Sequence, residues 1–310
     1  MGGSPFQPGD LVAERFRIVA EVGRGGMGVV YEAFDERLNR RVALKSAREG
    51  FRHWLPPEVR AAREVSHFNV CKVHDLHSTG GAWPEVEFLT MEFIEGETLS
   101  ERIRRQGPME QAAARKIGRQ ICAGLAAAHR QGVIHGDLKC ANILLTKTPS
   151  GATRAVITDF GLAAIEQAGE QRTINRVAGS LDYMAPELFR SEPISVASDL
   201  YAVGVILHYM LTGEAPPPIG QPRMPVVERT ITMAHSALGS YVPRQAGALP
   251  APWYAIVSRC LEPDPADRFR AAEEVADSLR DRSTAGTLRQ IAGLLWGRFD
   301  PSRLVRRASL

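Results

Sequence analysis

Residues 135 to 142 read His-Gly-Asp-Leu-Lys-Cys-Ala-Asn. A carboxylate (Asp137), an ammonium (Lys139) and an amide (Asn142) share one short loop after a helix-like run. Such groups can position a hydroxyl, neutralise a moving phosphoryl group and hold a divalent cation. Asp137 is the candidate base, and it need not be strongly basic, because phosphoryl transfer depends mostly on alignment and charge neutralisation. Lys139 can neutralise the γ-phosphate. Asn142 and Asp159, the latter in Val-Ile-Thr-Asp159-Phe160-Gly161, can supply oxygen ligands to Mg2+, which favours few protein ligands plus phosphate oxygens. Each motif alone is a polar turn; their order along the chain carries the reading.

Two further features lie upstream. Gly23, Gly25 and Gly28 form G-x-G-x-x-G. In a dinucleotide site such glycines open a helix, whereas here β-branched residues and a new strand follow. A glycine-rich hairpin can lay backbone N–H groups over a phosphate chain without side-chain obstruction. Lys45 ends the apolar stretch Val42-Ala-Leu-Lys45. Alone it reads as a solvated strand-end charge. Projecting toward the glycine hairpin, it can contact two phosphates if a carboxylate holds it. Glu58 and Glu64 are the candidates, with Glu58 preferred; Pro56-Pro57 places Glu58 in a first helical turn, where proline is tolerated.

Elements must position these groups. Residues 11 to 47 favour strands: Arg17 to Val22, Val29 to Phe34 and Arg41 to Lys45. Residues 57 to 66 read as a helix, and Val70 to His77 and Glu85 to Phe93 as two more strands. From Leu99 the pattern turns helical, and Ala113, Ile117, Ile121, Leu125 and Ala128 repeat at helical spacing. The apolar stretch 198 to 212 reads as a buried helix, shorter than the ~18 residues of a membrane span. Residues 252 to 262 and 271 to 281 read as further helices. The fold class is α+β: a small antiparallel sheet with one main helix over residues 1–93, a larger helical part over 94–282 and a tail over 283–310.

Composition agrees. The 310 residues suffice for two lobes, and 44% apolar with 24% charged residues is ordinary for a globular protein. A net charge of +3 gives no global pointer to nucleic acid. The first residues lack the basic-then-apolar pattern of a secretory signal. Cys71, Cys122, Cys140 and Cys260 show no C-x-x-C spacing, which suits a reduced, intracellular chain without structural zinc.

The sequence resembles the eukaryotic-type (Hanks-type) serine/threonine protein kinases, most of all their bacterial branch. The resemblance rests on Gly23-Arg-Gly-Gly-Met-Gly28, Val42-Ala-Leu-Lys45, His135 to Asn142, Asp159-Phe-Gly161, Ala185-Pro-Glu187, Ser198-Asp199 and Arg268, and spans residues ~10 to 282. It implies a bilobal fold that binds ATP with Mg2+ (or Mn2+) and phosphorylates protein serines and threonines, with self-association for autophosphorylation. It implies that Val22, Gly23, Arg24, Gly25, Gly26, Met27 and Gly28 cover the nucleotide, that Val30, Ala43 and Leu144 sandwich the adenine, and that Glu92, Phe93 and Ile94 form the hinge behind the gatekeeper Met91. Lys45, Glu58, Asp137, Lys139, Asn142 and Ser180 make the catalytic set, Ser180 standing where a threonine is usual. Glu187 and Arg268 should pair, and Asp199 should bind the catalytic-loop backbone.

Two departures matter. Gly136 replaces the arginine that usually precedes the catalytic aspartate and receives an activation-segment phosphate, so phosphorylation of Thr173 or Ser180 loses its main receiver. Ala141 stands where basophilic kinases often carry a glutamate, which removes support for a basic-site preference. The tail, 287 to 310, reads as a packed helix plus linker, with a juxtamembrane or membrane-surface segment of a longer parent, or a phosphorylation or pseudosubstrate segment at Arg306 to Ser309, as alternatives. The expected location is cytoplasmic, alone or as the cytoplasmic part of a membrane-anchored protein. Rival readings are a pseudokinase-like binding module, against which Lys45, Asp137, Asn142 and Asp159 argue, and a small-molecule kinase, against which Ala185-Pro-Glu187 argues.

Overall fold

A computed structural model describes residues 4–25, 28–47, 59, 62–79, 86–160, 181–190, 192–214 and 249–280. In its first part, strands β1 (Leu11–Val12), β2 (Phe16–Arg24), β3 (Gly28–Asp35), β4 (Arg40–Ala47), β5 (Val73–Ser78) and β6 (Glu87–Glu92) form one antiparallel sheet in the order β1-β2-β3-β4-β6-β5. Alternation along β3 and β4 sends successive side chains to opposite faces. Tyr31, Val42 and Leu44 join Phe6, Phe16 and Phe88 in one apolar cluster, while Val30 and Ala43 join Leu89 and Met91 in another. The sheet therefore has one face closed by its own N-terminal segment and one facing the site.

The expected strand Val70 to His77 starts later. Residues 69 to 71 instead bond to the other half of the molecule: the Ile157 N–H donates to the Asn69 carbonyl at 2.9 Å, and the Cys71 N–H to the Ile157 carbonyl at 2.8 Å. The Asn69 side chain donates to the Ala155 carbonyl at 2.8 Å. Backbone polar groups buried at this junction must find partners, and they find them across it rather than in the sheet. Of the helix expected over 57 to 66, residues 59 and 62–64 are described and helical.

The second part contains α1 (Leu99–Gln106), α2 (Gln111–Arg130), α3 (Pro186–Phe189), α4 (Val196–Thr212), α5 (Ala251–Cys260) and α6 (Ala272–Ser278) among its described residues. A small sheet, β7 (Glu97–Thr98), β8 (Ile143–Lys147) and β9 (Thr153–Ile157), was not foreseen from the sequence. The stripe on α2 runs through Ala114, Ile117, Ile121, Leu125 and Ala128. Ala113, expected on it, is exposed, and its neighbour Ala114 takes the place.

Helix α4 is the axis of this half. It is apolar all round and buried from Ser198 to His208. Ser195 and Ser198 form its capping box, and Gly213 closes it at φ 75°. Gly204 lets α5 approach: a Cβ there would lie 2.5 Å from the Cys260 Cβ. Among the described residues no helix is long and apolar enough to cross a membrane.

Candidate active site

The glycine turn joins β2 to β3. The Gly25 N–H donates to the Gly28 carbonyl at 2.9 Å, and Gly23 and Arg24 pair with Val30 and Val29. The glycines serve different ends. A Cβ on Gly28 would lie 2.1 Å from the Ser46 carbonyl oxygen, so the close approach of β3 and β4 demands glycine there. A Cβ on Gly25 would meet no heavy atom within 4 Å, so that position keeps an open backbone face. The Val22 side chain is exposed, and Arg24 turns to Glu21, with bonds of 2.8 and 2.7 Å. Gly26 and Met27 lie outside the described residues.

Lys45 sits between Val30 on β3 and Leu89 on β6. Its Nζ lies 2.9 Å from Asp159 Oδ1. Glu58, the preferred partner of Lys45, lies outside the described residues, as does Ser180. Glu64, the alternative, is exposed. Around Lys45, Val30, Ala43, Met91, Phe93 and Ile94 pack into one apolar cluster with Val156. Leu144 is half-buried on β8 and stands opposite Val156 in register. Glu92 is held by Arg154 at 3.0 Å, and the Arg41 guanidinium lies over the Phe93 ring at 4.3 Å, which fixes the segment between the halves.

The loop after α2 is built on backbone bonds. Asp199, in the first turn of α4, accepts from the His135 N–H at 2.8 Å and the Gly136 N–H at 2.9 Å, as its resemblance-based role requires. The His129 Nε2 adds a third contact at 2.8 Å. A carboxylate that is 1% exposed is thus satisfied by donors. Gly136 adopts φ 72°, which a glycine enters at no steric cost.

His135 links this loop to Asp159. Its Nε2 lies 3.0 Å from the Thr158 carbonyl, which only accepts, so Nε2 carries the proton. Nδ1 then accepts from the Asp137 N–H at 3.2 Å. The ring packs on Phe160 with centroids 4.7 Å apart. Asp137 Oδ2 receives Lys139 Nζ at 2.7 Å, so the candidate base and the candidate phosphate-neutralising group touch. Asn142 donates through Nδ2 to the Asp137 carbonyl at 3.0 Å, which leaves its amide oxygen as the group a cation can use. The Thr158 N–H donates to the Asn142 carbonyl at 2.9 Å and brings the next residue, Asp159, alongside.

Asp159 adopts φ 60°, a left-handed conformation uncommon for a side-chain-bearing residue. It lies deep among protein atoms although 38% of its side chain reaches solvent. That burial opposes ionisation, but the charge and hydrogen bond of Lys45 outweigh it and hold the pKa below the ordinary carboxylate value. An ionised Asp159 and the Asn142 amide oxygen, on segments joined by the Thr158–Asn142 backbone bond, offer a donor chemistry that fits Mg2+, which binds one or two protein oxygens and completes its shell with phosphate and water.

Structural support comes from the expected Glu187–Arg268 pair. Both Arg268 nitrogens meet the Glu187 carboxylate at 2.7 Å, and the guanidinium also donates to the Glu262, Ala197 and Pro263 carbonyls. No local sequence pattern marks His129, Thr158 or Tyr183 as part of the site. Tyr183 bonds to the buried Cys140 inside the loop after α2, and burial raises both pKa values, that of Cys140 to about 12. His129 stands one helical end before the loop, and only the fold brings it to Asp199.

Comparison with known proteins agrees with this geometry. The sequence matches the family described as "Protein kinase domain" over residues 16–279. It is 30% identical over 278 residues to a probable serine/threonine-protein kinase of Clostridium acetobutylicum, covering 87% of this chain and 40% of that protein. It is 34% identical over 302 residues to serine/threonine-protein kinase PknD of Mycobacterium tuberculosis, covering 94% of this chain and 42% of that protein. The chain thus spans about two fifths of the length of these relatives. Among solved structures, the Mycobacterium tuberculosis PknI kinase domain superposes with a TM-score of 0.61 at 23% identity, covering 88% of this chain and 98% of that one. Rad53 in complex with AMP-PNP superposes with a TM-score of 0.65 at 23% identity, covering 85% and 64%. These two likenesses establish the bilobal α+β fold.

Proposed function

The chain belongs to the protein kinase domain family, and from that premise we propose that it transfers the γ-phosphate of Mg-ATP to serine and threonine hydroxyls of proteins, its own copies included. One observation carries the reading: Asp137, Lys139 and Asn142 share a loop that Thr158 ties to Asp159, which in turn meets Lys45.

The roles follow from these positions. Asp137 accepts the proton of the attacking hydroxyl as its oxygen bonds to the γ-phosphorus and ADP departs. Lys139, within 2.7 Å of that carboxylate, neutralises charge on the transferring group. Lys45 holds the phosphate chain, with Glu58 as its second partner. Val30, Ala43 and Leu144 enclose the adenine, and the backbone of Glu92 to Ile94 reads its edge beside Met91. Val22 to Gly28 cover the phosphates, and Ser180 contacts Asp137 and Lys139. Asn142 and Asp159 would hold Mg2+, which would supply charge neutralisation on the phosphate oxygens. Residues 1–93 and 94–282 are the two lobes, and the working location is cytoplasmic.

Gly136 belongs to the same reading. Lacking an arginine, the loop has no side-chain cation at that position to receive a phosphate, so activity depends little on phosphorylation of Thr173 or Ser180, both outside the described residues. Thr173→Ala should leave turnover within tenfold of the parent, and a loss of a hundredfold would overturn this part. The function itself is tested by incubating the chain with labelled Mg-ATP and a generic acceptor protein, then identifying the labelled amino acid. Phosphoserine and phosphothreonine support it. Label only on tyrosine, or ATP binding with no label, counts against it.

A further inference from the structure

The N-terminal segment closes the sheet face that looks away from the site. Phe6 is 1% exposed and meets Tyr31 and Phe88 edge-on, at centroid distances of 5.6 and 6.1 Å. Two residues earlier, Ser4 Oγ donates to Glu21 Oε2 at 2.6 Å and accepts from Arg24 Nη2. Arg24 also grips Glu21 through two bonds. One serine hydroxyl is therefore the joint between the segment carrying Phe6 and the arm of β2 that enters the glycine turn.

We propose that Ser4 is a phosphorylation site, modified by a second copy of this chain, and that the phosphate releases the N-terminal segment from the sheet. The inference rests on the serine-directed activity proposed above. Modification in trans follows from placement. Ser4 belongs to the segment packed on the Leu44 and Tyr31 face, whereas Lys45 and Ala43 point to the opposite face. In the step, Ser4 Oγ attacks the γ-phosphorus of ATP held by the other copy. An O–P bond forms, the bond to ADP breaks, and the hydroxyl proton passes to Asp137 of that copy.

The consequence is electrostatic. The unmodified hydroxyl donates to Glu21, and esterification removes that proton. A group carrying about −1.5 to −2 charges then stands where a neutral donor stood, against a carboxylate. Among the described residues of this cluster Arg24 is the cation, and it must serve two anions instead of one. Arg24 is shared between Glu21 and the phosphate, and repulsion from Glu21, no longer offset by the lost hydroxyl donor, loosens the segment ahead of Phe6.

The test has two arms. In the first, the wild-type chain is mixed with the inactive Asp137→Asn chain, a generic acceptor protein and Mg-ATP, and phosphopeptides of the inactive chain are mapped. Phosphate on Ser4 supports the proposal. Phosphate on the acceptor but none on Ser4 overturns it and leaves the kinase reading standing. Phosphate on neither overturns both. In the second arm, the chain is made with phosphoserine encoded at position 4, and hydrogen exchange is followed over residues 4–10. Exchange should rise about two- to fivefold, the range expected of an exposed charged contact. Phe6→Ala serves as the fully released reference. Glu21→Gln should suppress the rise by removing the repelled charge. Unchanged exchange, or an equal rise with Glu21→Gln, overturns the release.

Discussion

Replacing Gly136 by alanine isolates one element of the catalytic loop. Gly136 sits at φ 72°, and its N–H donates to Asp199 at 2.9 Å. A Cβ in the left-handed region costs about 1–2 kcal/mol. The loop can avoid that strain only by rotating away, which gives up a hydrogen bond to a buried carboxylate worth about 1.5–3 kcal/mol. The smaller penalty sets the outcome, so Gly136→Ala should lose about 1–2 kcal/mol in urea unfolding while the bond to Asp199 persists. Gly132→Ala is the control. Gly132 also has φ 72°, with no heavy atom within 4 Å of an added Cβ. Both variants should be destabilised alike, but only Gly136→Ala should slow phosphoryl transfer, because it strains the residue preceding Asp137. Full stability in Gly136→Ala, or equal rates for the two variants, would refute the reasoning.

Other expectations follow from the same contacts. Arg268→Ala leaves Glu187 buried and unpaired, and should cost about 3–5 kcal/mol in denaturant unfolding; a loss below about 1 kcal/mol would show the site to be wet. The hydrogen bonds from Arg15 at 2.9 and 2.7 Å hold the Asp35 pKa below its ordinary value, against burial. A depressed folded pKa contributes stability above the unfolded value of about 3.9 and loses it as pH falls through the folded pKa. Asp35→Asn should therefore flatten the decline of stability below about pH 4, and an unchanged slope would contradict the assignment. Burial pushes Cys140 and Cys260 up to about 12 and raises Cys71 and Cys122 as well. A thiol-disulfide reagent at neutral pH should label none of them in the folded chain and all of them in denaturant. Rapid labelling of any one would reveal local opening.

What the sequence disclosed divides along physical lines. Long periodic segments were legible: the run at 198 to 212 is α4, begun earlier because Ser195 caps it, and the stripe on α2 was misplaced only at Ala113. Motif residues were legible because their chemistry is local, as with Asp137, Lys139 and Asn142 on one loop. The β7-β8-β9 sheet was not, since its strands are two to five residues long and carry little periodicity. Nor was the junction through Asn69 and Cys71, because a backbone bond to a residue far along the chain leaves no mark in the local pattern. His129 escaped for the same reason: its partner, Asp199, is 70 residues away. Gly136 was read as a lost arginine; the structure adds a conformational reason for the glycine itself.

The central claim is that this loop performs phosphoryl transfer rather than only holding a nucleotide. Asp137→Asn addresses it directly when ATP affinity and turnover are measured on the same sample. The side chain keeps its shape and loses its basicity. The account predicts an ATP dissociation constant within about threefold of the parent and a rate of transfer to serine or threonine lower by at least about a hundredfold. Equal transfer rates in the two chains would contradict it.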